Sequence, residues 1–382
     1  MVRSLPVLMY HYVSRFTGPI NVTPDVFEAQ CKGMAEAGWR GVGLAEAEAW
    51  LLEKRPLPKK SVFITFDDGF LDNYVYAAPI LERYGHQGVV FAVTERMEHG
   101  VRARPSVRDV WEGRLERTEL PPVDMPMAEH ALGYHYRNDI FMNWPEARAL
   151  DSDGVLAVAA HTARHTAVFA SASFPPHTDS SDSGAPEYAA RRFHTPGRRG
   201  NTFYRIEGDV PWGLPRFAEQ PAMGGPAFIP SAKFLDAIRE LVPQEKKQAF
   251  EFFQSPANVE RLCRLVDAFP VGEMGRMETE DEARARMAAD LSLCAATLER
   301  ELGHGVVSLC WPWGRGSDMA REEAAKLGFS VFYETRPGAN RAGEARAVRR
   351  FKVRNKPWPW LGLRLFTYSR PLLAAVYGAL KK

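Results

Sequence analysis

The chain has 382 residues, 45% of them apolar and 25% charged, with a formal net charge of +2. That length suits one large domain with insertions, and the composition excludes wholesale disorder. The charge is unevenly placed: Ala345 to Lys382 holds ten Lys or Arg and no Asp or Glu, so the rest of the chain is net acidic. Such asymmetry points to an anionic partner at one end, a membrane surface or a nucleic acid.

The opening MVRSLPVLMYHYVS has one basic residue, interruptions at Pro6 and His11, and no small-residue cleavage site. It does not read as a secretory leader, and a cytoplasmic location is expected. PVLMYHYV is a strand candidate that carries a titratable ring, His11. Thr23-Pro24 then caps a helix with Phe27, Cys31 and Met34 on one face, stopped by Gly38. SVFITF (61–66) and GVVFAVT (88–94) are strands on either side of a helix over about 71–84. Strands alternating with helices indicate a parallel α/β layout.

The alternation lapses over 97–138, read as an insertion, and resumes with a helix at NWPEARAL and a strand at GVLAVAAH (154–161). A larger interruption, 171–278, begins with the loop SFPPHTDSSDSGAPE and has helices near 231–242 and 245–268. It reads as a lid or small cap. Thr279 and Glu282 form a capping box for a long helix striped with Met287, Leu291, Cys294 and Leu298. The strand GVVSLCW (305–311), a helix over about 318–327 and the strand SVFYE follow. Cys31, Cys263, Cys294 and Cys310 form no CxxC pair and read as free thiols. No apolar run reaches about 18 residues, so no spanning helix is expected.

Three stretches carry chemistry. In SVFITFDDGF a strand ends in adjacent carboxylates, Asp67 and Asp68. Neighbouring strand residues face opposite ways, so both enter one site only where the chain turns, which Gly69 permits. Carboxylates that close need a cation or a shared proton; the alternative is an ordinary Asp-Gly turn. In AAHTARHTAVF, His161 and His165 stand four apart, a spacing that converges on one ion from a helical turn or a tight loop and also occurs on solvated helix faces. One Asp with two His is a three-ligand set that leaves open positions for water and substrate. In LCWPWGRGS, Trp311 and Trp313 around a Pro-x-Gly turn either form a sugar-stacking wall or pack beneath a loop.

In this order the stretches resemble the polysaccharide deacetylase family, carbohydrate esterase family 4, with NodB homology. TFDDG and HTARH match two of its motifs, and CWPWG is similar to its R-x-P-x-G motif. PVLMYHYVS followed by FEAQCKGMAEAGW resembles the branch of the bacterial poly-N-acetylglucosamine deacetylases. The resemblance covers 4–96, 139–170 and 279–356. It implies an α/β fold, a distorted (β/α) barrel with fewer than eight regular strands and two large insertions. It also implies roles: Asp67 as general base, Asp68, His161 and His165 as ligands of a divalent metal, usually zinc, the Trp313 N–H as oxyanion donor, and His11 as general acid. Cys310 stands where many members have an Arg that orients the base. Arg349 and Arg350 are candidates to replace it, with surface ion pairing the alternative for either.

The implied activity is metal-assisted hydrolysis of the N-acetyl or N-formyl amide of an amino sugar. With no leader, a lipid-linked or precursor sugar of envelope polysaccharide or lipopolysaccharide assembly is the expected substrate, and 171–278 is expected to set specificity. The aromatic, basic tail 357–382 either lies on a membrane surface, placing the protein at the inner face, or docks on the barrel as a helix with a basic rim. A glycoside hydrolase and a non-catalytic carbohydrate-binding relative are the competing readings. Nucleic acid is not expected as a partner, because the tail has no recognisable fold motif for it.

Overall fold

The computed structural model describes residues 1–16, 18–124, 127–130, 133–136, 138–175, 185–196 and 206–380. Its centre is one curled parallel sheet: β1 (Val7–Tyr10), β2 (Ser61–Asp68), β3 (Gly88–Ala92), β4 (Leu156–Ala160), β5 (Ser308–Cys310), β6 (Val331–Tyr333) and β7 (Phe351–Lys352). The spatial order is β6-β5-β4-β3-β2-β1-β7, and a two-residue strand, Arg40–Gly41, pairs with the start of β2. One stretch of chain draws the edges together: Val348 bridges to Tyr333, and Phe351 pairs with Leu8. This is a distorted (β/α) barrel, and only β1 to β4 have four residues or more.

The period of two along β2 builds the two layers. Phe63 turns into the barrel with Val7, Phe91, Cys310 and Tyr333, while Val62, Ile64 and Phe66 pack outward with residues of the surrounding helices. The Phe91 and Tyr333 rings, 4.8 Å apart, fill the interior. Each such buried ring contributes about 1.5–3 kcal/mol. Outside lie α1 (Pro24–Glu36) and α2 (Glu280–Leu302), the latter starting at the expected Thr279–Glu282 capping box.

Several elements differ from expectation. The first strand ends at Tyr10; His11 interrupts it, and Tyr12–Val13 pair with Asn21–Val22 instead. β3 stops at Ala92, because Thr94 opens a short 3-10 turn. The helix expected over 245–268 is two, Lys246–Gln254 and Pro256–Ala268. Ser255 ends the first and caps the second, and Pro256 cannot continue a helix but suits a first turn.

Within 97–138 there are a short helix, Val107–Trp111, and a hairpin, Met127–His130 with Gly133–Tyr136; residues 125–126, 131–132 and 137 lie outside the described residues. In 171–278, Tyr188, Phe193, Phe217, Phe234 and Leu262 share a hydrophobic cluster distinct from the barrel core. Most of the loop expected there, 176–184, lies outside the described residues, as do 17, 197–205 and 381–382. All four cysteines are free and buried.

The tail forms α3 (Trp358–Tyr368) and α4 (Pro371–Ala379). Leu361, Leu365 and Tyr368 are buried, and Tyr368 stacks on Phe351 at 4.3 Å, so the segment docks on the barrel. Its other side exposes Leu363, Phe366, Leu372, Leu373 and Val376. No helix among the described residues is long and apolar enough to cross a membrane.

Candidate active site

The sequence motifs converge where the C-terminal ends of β1, β2, β4 and β5 open into a pocket of about 320 Å³, lined among others by His11, Asp67, Asp68, His161, His165 and Trp313. All six predicted site residues are therefore in one place. No described residue of 97–138 or 171–278 lines it; its described walls come from the barrel's strand ends and the loops beside them.

β2 delivers the two carboxylates in different ways. Asp67 follows the inward alternation of Phe63 and Thr65. The ladder runs on through Asp68, which pairs with Ala92, but Asp68 adopts a left-handed φ of 75° and Gly69 one of 79°. The turn thus begins at Asp68 itself, one residue earlier than the sequence suggests, and brings a side chain that should face outward into the pocket.

Asp67 is held by Arg350, which precedes β7. Arg350 Nη1 donates to Asp67 Oδ1 at 2.6 Å and Nη2 to Oδ2 at 2.9 Å. The guanidinium also donates to Thr65 Oγ1, the Glu334 carbonyl and the Cys310 sulfur, and is only 1% exposed. Of the two arginine candidates it is Arg350 that meets the base, buried rather than in a surface pair; the Arg349 backbone instead bonds Asn340. The small Cys310 side chain leaves the guanidinium its space. Burial alone would raise Asp67, but Arg350, His161 and His11 hold it below the usual carboxylate range.

His161 and His165 project from a tight loop, not a helix. Thr162 (φ 64°) and His165 (φ 52°) are both left-handed, and Thr162 Oγ1 accepts from the His165 N–H. Asp290 of α2 anchors the loop by accepting from the Ala163 N–H at 2.8 Å. Burial pushes Asp290 up from 3.8 to about 6. Its folded pKa therefore exceeds the unfolded one, so its stabilising contribution is full below about pH 4 and is lost as pH rises through 6. Asp290→Asn keeps the acceptor and removes the ionisation; thermal melts should show it more stable than the parent at pH 7.5, by up to about 3 kcal/mol, and level with it near pH 4.

Three donor atoms face a common point. His161 Nε2 and His165 Nε2 each lie 3.5 Å from Asp68 Oδ1, which is buried without a hydrogen-bond partner. His161 Nδ1–H donates to the Cys310 carbonyl at 2.8 Å, which directs the Nε2 lone pair into the site. Tetrahedral ligands about 2.1 Å from a metal stand about 3.4 Å apart, so the donor set fits a divalent cation. A second triplet, Asp67 with His161 and Cys310, is as compact, but Arg350 already occupies both Asp67 oxygens. Burial would raise Asp68, yet His161, His165 and His11 hold it well below the usual carboxylate range. Burial pushes His165 down to about 3. Burial also opposes charge on His161, but Cys310, Asp68 and Asp67 draw a proton there and raise it well above its ordinary value.

His11 sits across the pocket, its Nε2 3.9 Å from Asp67 Oδ2 and its side chain 17% exposed. Asn73 Nδ2 donates to the His11 carbonyl, and Asp72 accepts from the Val13 N–H, so the residues after the DDG turn fix the His11 segment. Burial lowers the His11 pKa, with Asp67 and Asp68 opposing.

Of the two tryptophans, Trp311 is core: fully buried and stacked on Phe332 at 5.4 Å. Trp313 alone reaches the pocket, at φ 51°, its ring centroid 4.3 Å from His165. Gly314 follows at φ 70°, where a Cβ would stand 2.4 Å from the Thr335 backbone. Sequence reading missed Asp72, Asn73 and Asp290. The first two follow the DDG motif directly, which is a usable signal; Asp290 reads as one more polar helix residue.

Residues 54–183 match the family model described as polysaccharide deacetylase. Asp67, Asp68, His161 and His165 fall within the match; His11, Trp313 and Arg350 do not. The putative polysaccharide deacetylase YxkH of Bacillus subtilis (strain 168) is 36% identical over 95 residues, which cover 25% of this chain. The aligned stretch spans only 34% of that relative. Among solved structures the chain is similar to a de-N-acetylase from Aggregatibacter actinomycetemcomitans (TM-score 0.55, 17% identity, covering 92% of this chain and 95% of that one). The deacetylase domain of BpsB from Bordetella bronchiseptica has a TM-score of 0.52, 17% identity and coverage of 92% and 96%. IcaB from Ammonifex degensii has 0.51, 19%, and 95% and 97%. At these identities the likeness to solved structures is one of fold.

Proposed function

We propose, from the match of residues 54–183 to the polysaccharide deacetylase model, that the protein hydrolyses the N-acyl amide, acetyl or formyl, of an amino sugar. The observation that carries the proposal is the pairing of a three-donor site, Asp68, His161 and His165, with a second carboxylate, Asp67, clamped beside it by Arg350. Asp68, His161 and His165 would hold a divalent metal, zinc by resemblance. Such an ion supplies Lewis acidity toward the acyl oxygen and lowers the pKa of water.

The chain's own groups do the rest. Asp67, ionised at neutral pH, accepts a proton from the attacking water. The Trp313 N–H donates to the developing oxyanion. His11 delivers a proton to the leaving amine. Because burial keeps His11 neutral at rest, that proton comes from within the site, and the Asp67 oxygen 3.9 Å away is its source. A glycosidase assignment is disfavoured because both carboxyls are held ionised, so neither serves as the acid.

The substrate we favour is a lipid-linked or precursor sugar of envelope polysaccharide or lipopolysaccharide assembly. Support comes from the exposed Leu363, Phe366, Leu372, Leu373 and Val376 in a segment without acids, which suit contact with an anionic membrane at its inner face. The segment 171–278, with its own hydrophobic cluster, is taken as a cap whose role lies outside the pocket walls.

The test is amine release from N-acetyl and N-formyl amino sugars by wild type and His11→Ala. Wild type should turn over one class, and the variant should keep fold and metal while losing about 10²–10⁴ in kcat. No amine from either class with metal-loaded protein would sink the proposal.

A further inference from the structure

A second cavity, of about 280 Å³, adjoins the first; Thr335 and Lys352 line both. Its other walls include Arg354, just beyond β7, Arg364 and Trp360 of α3, and Tyr377 of α4. The Arg364 guanidinium lies between two rings, 5.1 Å from the Trp360 centroid and 4.9 Å from that of Tyr377. This stacking fixes a cation in the cavity wall.

No acidic residue lines this cavity, and among the described residues no carboxylate pairs with Lys352, Arg354 or Arg364. Elsewhere buried and half-buried arginines are paired with carboxylates: Arg104 with Glu146, Arg286 with Glu278, Arg350 with Asp67. Three cations gathered in one hollow repel one another, and Lys352 is lowered by burial and by Arg354. A counter-charge from outside the chain relieves that repulsion.

The geometry points to a subsite for the phosphate or diphosphate ester of the substrate's carrier, held by Lys352, Arg354 and Arg364 beside the hydrolytic pocket. This rests on the amino-sugar reading above and deepens it. In a sugar whose amide lies at Asp67 and Asp68 the anomeric oxygen is within one ring of the amide nitrogen, and because Lys352 and Thr335 line both cavities an ester on that oxygen can reach the second. Guanidinium and ammonium donors match the charge and tetrahedral oxygens of that ester. Two carriers share this chemistry, a polyprenyl and a nucleoside. The apolar face of α3 and α4 beside the cavity suits the first, and the Trp360 ring suits the second.

The test is calorimetric titration of the full-length, metal-loaded protein with inorganic pyrophosphate at low salt. Wild type should bind saturably, and Arg354→Gln and Arg364→Gln should each weaken binding about tenfold, the usual weight of a charged hydrogen bond. Arg354 is exposed, so its variant reports even where loss of the stacked Arg364 disturbs α3. No saturable binding by wild type, or an affinity unchanged in the variants, overturns the subsite. Pyrophosphate has no amide, so this result stands apart from whether amine is released. Displacement by a short polyprenyl diphosphate better than by a nucleoside diphosphate assigns the lipid carrier; the reverse order assigns the nucleotide. Both orders support the subsite.

Discussion

Asp68→Ala is expected to lose its metal and, with it, measurable amide hydrolysis, while keeping the fold. Asp68 Oδ1 is the atom on which both imidazoles converge, and it has no hydrogen bond to forfeit. Truncation therefore deletes one of three ligands without orphaning a donor. Metal affinity should fall by at least about 10²-fold, since even outer-shell changes cost 10–100-fold. Elemental analysis after gel filtration reads the occupancy, and full occupancy in the variant would falsify the ligand assignment. In wild type the apparent affinity should rise with pH: His161, drawn well above its ordinary pKa by its neighbours, must release its proton to become a ligand, whereas His165 is already neutral.

Arg350→Met is expected to destabilise the fold by about 3–5 kcal/mol, because it strands Asp67 as a buried, uncompensated carboxylate. The pH dependence identifies the cause. In wild type Asp67 has a folded pKa below its unfolded value, so its stabilising contribution is present at neutral pH and lost as pH falls through the folded pKa. In the variant, burial is opposed only by His161 and His11, so the Asp67 pKa rises and the carboxylate costs stability it formerly supplied. The gap in melting temperature should thus be widest near pH 7 and close below about pH 4. Adding Asp67→Asn should recover much of the stability and none of the turnover. In the single variant, the acid limb of kcat/KM should move to higher pH, because the base now titrates later. A gap independent of pH would mean that Arg350 acts through packing alone.

The legible part of the site was the part encoded by short spacing. DDG after an apolar alternation, and two histidines four apart after a strand, specify turns that depend on adjacent residues, so Asp67, Asp68, His161 and His165 emerge from the sequence. The parallel α/β layout likewise follows from strands alternating with helices, whereas the barrel was implied only by the family resemblance. Less legible were the features that depend on one residue's backbone: the turn starting at Asp68 rather than Gly69, and the break at Ser255-Pro256.

By itself, then, the sequence determined the parallel α/β class, the two motifs and the charge asymmetry of the tail, because each is a local or compositional property of the chain. Only the tertiary structure decided which arginine clamps the base. Arg350 and Asp67 are 283 residues apart and meet because β7 lies beside β1 and β1 beside β2, an order that periodicity does not encode. It decided equally that Trp313 and not Trp311 faces the pocket, since two positions along one turn point to opposite sides of it. Docking α3 against the barrel then turned a run of basic and aromatic residues into a walled cavity next to the hydrolytic pocket. Burial on one face and curvature of the sheet made that choice, and both exist only once the strands have closed.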